Sequence, residues 1–301
     1  MIGALLKSLR PKQWTKNALV FAGYIFTIDL PHPPDTLWRV LAAVGLFCAV
    51  SGATYILNDA VDVEADRKHP KKCKRPIASG AVSVRVAVAF ALVLLVAAMA
   101  ASHLLDFYFG LLVSAYLLLT LSYSAVLKHV VIVDLLTISA GFVLRAVAGA
   151  VVVKAIDPVT HAAYRVEISP WLLVCTTLLA LFLGLAKRRG ELITLENGGA
   201  DHRKTLSEYS APMLDQMLTI SSSCALMAYF LYTFTPGSKT GTSHPYMMIT
   251  IPFVIYGLFR YLFLVRDRNA GGSPEQVLLE DKPLLINCIL YVIAAVVALK
   301  L

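Results

Sequence analysis

The stretch 37–66 joins an apolar run of membrane-spanning length to an acidic segment, Asn58-Asp59-Ala60-Val61-Asp62-Val63-Glu64-Ala65-Asp66. An α-helix turns by about 100° per residue, so Asn58, Asp59, Asp62 and Asp66 fall within about 100° on one helical face. Clustered carboxylates repel one another unless a cation neutralises them. Oxygen ligands suit Mg²⁺, which completes its shell with water and substrate phosphates. The segment therefore predicts a magnesium–diphosphate site, with a solvated charged loop as the alternative.

The composition of the whole chain is that of a membrane protein. Its 301 residues are 58% hydrophobic and 15% charged, whereas soluble domains are about 25% charged. Apolar runs of about 20 residues, the length that crosses a bilayer, predict about nine transmembrane helices. These runs cover residues 14–31, 37–58, 83–104, 107–126, 130–153, 169–186, 212–234, 245–264 and 283–300.

The apolar runs are too long for barrel strands, so we expect an all-α membrane protein with a single domain over residues 1–301. The first run is the weakest, because its apolar core is short. A signal peptide is the alternative there, although no small-residue cleavage site precedes Asp29 and Pro31. The five cysteines show neither zinc nor redox spacing.

Positive charge is concentrated in alternate loops. Most of the 27 Lys and Arg residues lie before the first predicted helix or after the second, fourth, sixth and eighth. The positive-inside rule then places the N-terminus and the acidic segment on the cytosolic side of the plasma membrane. The net charge of +8 reflects this topology and contact with membrane lipid, and it gives no reason to invoke nucleic acid.

Two of the predicted cytosolic loops carry residues suited to phosphate. The first continues as Arg67-Lys68-His69-Pro70-Lys71-Lys72-Cys73-Lys74-Arg75-Pro76, and the second contains Lys187-Arg188-Arg189-Gly190-Glu191 and Asp201-His202-Arg203. Basic side chains neutralise the charge of a polyphosphate that a metal ion leaves uncompensated. The alternatives are a positive-inside flank for the first loop and a helix C-terminal cap for the second. A short turn between them offers Tyr123 and Lys128.

The fifth predicted helix carries two ionisable residues, Asp134 and Arg145, which share one helical face. Ionisable residues within a membrane are costly and usually face a polar cavity. A structural ion pair with another helix is the alternative interpretation.

The acidic pattern Asn58-Asp59-x-x-Asp62-x-x-x-Asp66, followed by Arg75-Pro76-Ile77-x-Ser79-Gly80, resembles the first signature of the UbiA superfamily of intramembrane prenyltransferases. The resemblance implies about nine helices around a central cavity with cytosolic cap loops, and Mg²⁺ that activates a diphosphate leaving group. Most members have a second acidic motif after helix six, where this chain has the basic run 187–191.

In this basic run the chain resembles a narrower branch of the superfamily, the actinobacterial decaprenyl-phosphate phosphoribosyltransferases. Two further segments share the resemblance: Arg10-Pro11-Lys12-Gln13-Trp14-Thr15-Lys16-Asn17 and Tyr123-Ser124-x-x-Leu127-Lys128. The resemblance implies transfer of 5-phosphoribose from phosphoribosyl diphosphate to decaprenyl (polyprenyl) phosphate, in synthesis of a cell-wall arabinan precursor. Self-association into a homo-oligomer is compatible with the sequence. Two rivals stay open: a transferase that moves a prenyl group from its diphosphate to an aromatic acceptor, and a transporter of a phosphorylated metabolite.

The resemblance also implies residue roles. Mg²⁺ is expected on Asp59, Asp62 and Asp66, the catalytic carboxylates, with support from Asn58. The lipid phosphate is expected near Lys16 and Asn17. The remaining residues expected to bind substrate are Arg67, Lys71, Arg75, Tyr123, Lys128, Lys187, Arg188, Arg189, Glu191 and Arg203.

Overall fold

The computed structural model describes residues 2–68, 72–157, 159–166, 169–196, 206, 208–234, 245–267 and 274–300. The α-helices are α1 (Ile2–Ser8), α2 (Ala22–Ile25), α3 (Thr36–Val61), α4 (Val63–Lys68), α5 (Val84–Leu105), α6 (Phe107–Ala125), α7 (Val133–Val152), α8 (Pro170–Glu196), α9 (Ala211–Phe234), α10 (Ile251–Asp267), α11 (Pro274–Glu280) and α12 (Lys282–Lys300). The 3₁₀ helices are Pro11–Phe21, Lys72–Lys74, Leu127–His129 and Pro245–Thr250. Strands β1 (Lys154–Ile156) and β2 (Ala163–Arg165) form an antiparallel hairpin between α7 and α8.

Eight helical segments in the described ranges are long and apolar enough to cross a membrane. They correspond to α3, α5, α6, α7, α8, α9, α10 with its preceding 3₁₀ turn, and α12. Large apolar side chains such as Trp38, Val93 and Leu104 are exposed on the outside of these helices, as expected for a surface that faces lipid. The all-α prediction is confirmed, and the predicted count of nine is approximate.

The predicted and observed numbers of membrane-spanning helices differ because of the first predicted helix. Residues 14–31 do not form one long α-helix, because the 3₁₀ helix Pro11–Phe21 passes into the single turn of α2. This segment lies unusually close to α7. A Cβ atom on Gly149 would be 2.0 Å from the carbonyl oxygen of Val20, and one on Gly23 would be 2.6 Å from the Cα of Ala150. Backbone packing against α7 thus accompanies the departure from regular α-helix.

The long helices pack around a central cavity largely in chain order. Neighbouring pairs run from α5 to α9 in sequence, α3 packs against α5, and α12 packs against α10. The 3₁₀ helix Pro11–Phe21 packs against α3 and α7, while α11 contacts both this 3₁₀ helix and α8. Side-chain caps define the turn between α5 and α6, where Asp106 accepts hydrogen bonds from the backbone N–H groups of Tyr108 and Phe109 at 2.9 and 3.2 Å.

Candidate active site

The helices enclose a cavity of about 1920 Å³, larger than the pockets of about 300–1,000 Å³ that hold ordinary small ligands. Its walls include apolar side chains along its depth, such as Phe26, Phe142 and Leu299. Its polar mouth lies where α3 and α8 end and α7 begins. The cavity can therefore accommodate a polar reacting group together with part of a long apolar chain.

One wall of the mouth is acidic. Helix α3 ends at Val61, Asp62 adopts a turn, and α4 continues the chain. Hydrogen bonds from the Asp62 N–H to the Asn58 carbonyl (2.9 Å) and from the Asp66 N–H to the Asp62 carbonyl (2.8 Å) keep nearly helical register across this break. As a result Asn58, Asp59, Asp62 and Asp66 all line the cavity.

Two arginines contact the buried carboxylates of this wall. Arg75 Nη1 lies 3.0 Å from Asp59 Oδ1 and 2.6 Å from Asp66 Oδ2. Arg10 Nη2 lies 2.5 Å from the same Asp59 oxygen. Arg10 was not among the site residues expected from the sequence. The available sequence signal was that Arg10 begins the stretch Arg10–Asn17, which carries part of the family resemblance.

The donor set of the acidic wall matches a hard divalent cation in chemistry, since it consists of carboxylate and amide oxygens. Within the described ranges, no group of three or more His, Cys, Asp or Glu side chains forms a ready-made metal cage. Mg²⁺ usually takes only one or two carboxylates and obtains its other ligands from water and substrate phosphate. Asp62, whose side chain is exposed at the mouth, and Asp66 therefore fit as metal ligands.

A second part of the cavity lining, at the C-terminal part of α8 and the turn before α7, is basic and is called the basic wall. Lys128, Lys187 and Arg188 line the cavity together with Tyr123. The positive charge of Arg188 is largely offset, because its Nε lies 2.8 Å from Asp134 Oδ2 and its Nη1 lies 2.6 Å from Glu191 Oε2. Lys187 Nζ lies 3.9 Å from Glu191 Oε1, but its side chain is 41% exposed, whereas that of Arg188 is 2% exposed. Lys187 and Lys128 are therefore more accessible from the cavity than Arg188 and better placed to contact a phosphate.

Tyr209 connects this charge network to the segment before α9. Its hydroxyl donates a hydrogen bond to Asp134 Oδ1 (3.1 Å) and accepts one from the backbone N–H of Ile132 (2.7 Å). Burial, with the nearby Asp134 carboxylate, raises the pKa of the Tyr209 hydroxyl, so it remains a donor. Ile132 has φ of 68°, an unfavourable conformation for a β-branched residue, and this hydrogen bond supports it.

The structure does not bring every expected residue to the cavity. Arg189 points away and binds Asp215 on α9 and the Val265 carbonyl on α10. Arg67 extends to Glu64 and the Ala78 carbonyl. Glu191 contacts Arg188 and Lys187 and does not itself line the cavity. These three side chains do not line the cavity, in contrast to the expectation, because each is directed to a neighbouring part of the fold.

Of the two residues expected near the lipid phosphate, one lines the cavity and the other does not. Lys16 lines the cavity and bonds to Gln13, whereas Asn17 is buried behind the wall and binds Arg145. Asn17 therefore does not line the cavity as expected. Lys71 and Arg203 lie outside the described residues. Both interpretations of the ionisable residues in the fifth predicted helix apply. Asp134 forms an ion pair with Arg188 on another helix, and Arg145 lines the cavity.

Residues 18–278 match the UbiA prenyltransferase family, and the chain belongs to this family. It is thus a multi-pass membrane protein. The chain is 35% identical to the decaprenyl-phosphate phosphoribosyltransferase of Corynebacterium glutamicum, over 98% of this chain and 86% of that protein. It is 32% identical to the protein of the same name from Mycobacterium tuberculosis H37Rv, over 97% of this chain and 93% of that protein.

The fold is also similar to that of a solved UbiA homologue from Archaeoglobus fulgidus, whose structure holds GPP and Mg²⁺. The TM-score is 0.69 at 16% identity, with 99% of this chain and 100% of the other covered. At this identity the likeness establishes the fold alone.

Proposed function

We propose that this protein transfers 5-phosphoribose from phosphoribosyl diphosphate to decaprenyl or another polyprenyl phosphate and releases diphosphate. The observation that carries the proposal is that one group of carboxylates, Asp59, Asp62 and Asp66, lines the cavity, while the second group of charged lining residues, which includes Lys128 and Lys187, is basic instead of acidic. The donor has a diphosphate at C1 and a monophosphate at C5. One metal-binding wall and one basic wall match these two ends better than two acidic walls would.

The acidic wall binds the diphosphate end of the donor. Asp62 and Asp66, with Asp59 and Asn58, would hold Mg²⁺, which would supply charge stabilisation to the departing diphosphate. Arg75 already lies across Asp59 and Asp66, and its guanidinium is suited to bind phosphate oxygens that the ion leaves uncompensated. Lys128 and Lys187, on the basic wall, hold the 5-phosphate and so orient C1 toward the acceptor.

The acceptor needs no strong general base. A phosphate monoester has a second pKa near about 6, so the lipid phosphate arrives as an anion. One of its oxygens forms the new bond to C1 while the bond from C1 to the diphosphate oxygen breaks, and the diphosphate leaves with the electron pair. The protein accelerates this exchange by holding two anions on either side of an electron-deficient centre.

We further propose that the protein lies in the plasma membrane with the mouth of the cavity on the cytosolic side. The support is the concentration of Lys and Arg in the loops at this end of the helices, which the positive-inside rule places in the cytosol. This side would also give a soluble phosphorylated donor direct access to the cavity.

The proposal is tested with the purified protein in detergent, Mg²⁺ and donor labelled in the ribose. One reaction contains decaprenyl phosphate, and a second contains a prenyl diphosphate with 4-hydroxybenzoate. Label that enters the lipid phase in the first reaction and is abolished by EDTA supports the proposal. Absence of label there, with prenylated aromatic product in the second reaction, would overturn it.

A further inference from the structure

Arg145 is a buried cation in the wall of the cavity. It belongs to α7, and only 5% of its surface is exposed. Its Nε donates to Asn17 Oδ1 (2.8 Å), its Nη1 to the Gly141 carbonyl (2.9 Å) and its Nη2 to the Tyr116 hydroxyl (2.7 Å). The guanidinium also lies over the ring of Tyr116, 4.5 Å from its centroid. The side chain is therefore held in one fixed position.

All of these partners are neutral. Among the described residues, no carboxylate forms an ion pair with Arg145. Arg188, the other deeply buried arginine at the cavity, contacts both Asp134 and Glu191. An arginine remains charged in a protein, and a buried charge is normally compensated by an opposite one. The structure thus leaves the charge of Arg145 for a ligand to compensate.

The position of Arg145 indicates what kind of ligand this is. Its partner Asn17 donates a hydrogen bond to Ser51 on α3 at 3.3 Å. Ser51 lies eight residues before Asp59 on the same helix, which is about 12 Å along the helix axis, so Arg145 lies deeper in the membrane than the acidic wall. An anion that compensates Arg145 would therefore lie within the membrane-spanning part of the cavity. Three of the five guanidinium N–H groups are used, so two remain for phosphate oxygens.

We propose that Arg145 binds a phosphate monoester at this depth of the cavity. The inference rests on the proposed function for its two possible sources, since both the lipid acceptor and the C5 end of the donor are phosphate monoesters. The C5 end is assigned above to Lys128 and Lys187, so the acceptor is the expected source. Phe142, beside Arg145 in the cavity lining, offers an apolar surface to the hydrocarbon chain that follows the lipid phosphate.

The decisive variant is Asn17→Asp, which places a carboxylate of nearly the same shape where the neutral amide now accepts from Arg145. This change supplies the missing counter-charge and should weaken phosphate binding about 10- to 100-fold. Tyr116→Phe is the matched control, because it removes one neutral partner and leaves the charge uncompensated. Arg145→Gln removes the charge itself, and its melting temperature shows whether the fold is retained.

Binding is measured without turnover. Native mass spectrometry compares decaprenyl phosphate with decaprenol on the detergent-solubilised variants, and calorimetry measures phosphoribosyl diphosphate. Loss of decaprenyl phosphate binding with unchanged decaprenol binding assigns the site to the acceptor, and selective loss of donor binding assigns it to the C5 phosphate. Wild-type affinity for both phosphates in folded Asn17→Asp protein would overturn the inference. Absence of transfer by the wild type would instead contradict the proposed function, while phosphate-dependent binding would still test Arg145.

Discussion

Arg188 and Asp134 form an ion pair in which Nε and Oδ2 lie 2.8 Å apart and the side chains are 2% and 0% exposed. The pair joins the C-terminal third of α8 to the first turn of α7. Tyr209 donates a hydrogen bond to the same carboxylate, which links the segment before α9 to this ion pair. The basic wall of the mouth therefore depends on one buried charge network, in which Arg188 has mainly a structural part.

Removal of one member of this network should be strongly destabilising. Asp134→Ala leaves the buried Arg188 guanidinium with Glu191 as its remaining carboxylate partner. Breaking a buried ion pair typically costs about 3–5 kcal/mol. The free energy of unfolding can be measured on purified protein by titration of mixed micelles with SDS. Stability equal to that of the wild type would show that the pair is not important for the fold.

Arg67→Gln provides the control for Asp134→Ala. Arg67 and Glu64 form an ion pair at 2.9 Å, but their side chains are 50% and 77% exposed. Exposed pairs contribute about 0–1 kcal/mol, so the same titration should detect little change.

Lys187 and Arg189 are expected to have different roles although they are two residues apart. Lys187→Gln removes a cation from the cavity wall and should raise the KM for the donor about 10-fold, the size of one charged hydrogen bond. Arg189→Gln breaks contacts to Asp215 and Val265 outside the cavity. It should lower the melting temperature and leave the donor KM unchanged. Steady-state kinetics on folded protein separate the two, and a raised donor KM in Arg189→Gln alone would contradict this assignment.

The expected metal site can be tested at Asp62, which is exposed at the mouth and whose replacement should not disturb packing. Asp62→Asn should lower kcat by about 100-fold or more, since it weakens stabilisation of the leaving diphosphate. Glu64→Gln, an exposed carboxylate outside the cavity lining, is the control. EDTA should abolish wild-type activity and added Mg²⁺ should restore it. An Asp62→Asn enzyme with wild-type kcat would remove this residue from the metal site.

The acidic wall was predictable from the sequence because it is local. Asn58 to Asp66 follow one another within about two helical turns, so their common face needs only the helical repeat. The basic wall was only partly predictable, since the sequence does not say which side of α8 faces the cavity. Lys187 faces it and Arg189 does not. The contact of Asn17 with Arg145 spans 128 positions and depends on how the first segment packs against α7.

That packing leads to a prediction at Gly149. Replacement by Ala would place a Cβ 2.0 Å from the Val20 carbonyl oxygen, so the 3₁₀ helix Pro11–Phe21 must move away from α7. We expect Gly149→Ala to lower the melting temperature and to weaken binding of the phosphate monoester, because Asn17 would move relative to Arg145. Gly45→Ala on α3 is the control: nothing lies within 4 Å of its added Cβ, and Ala in a helix is favoured over Gly by about 1 kcal/mol. If Gly149→Ala melted at or above the wild-type temperature, the close contact between the first segment and α7 would be wrong.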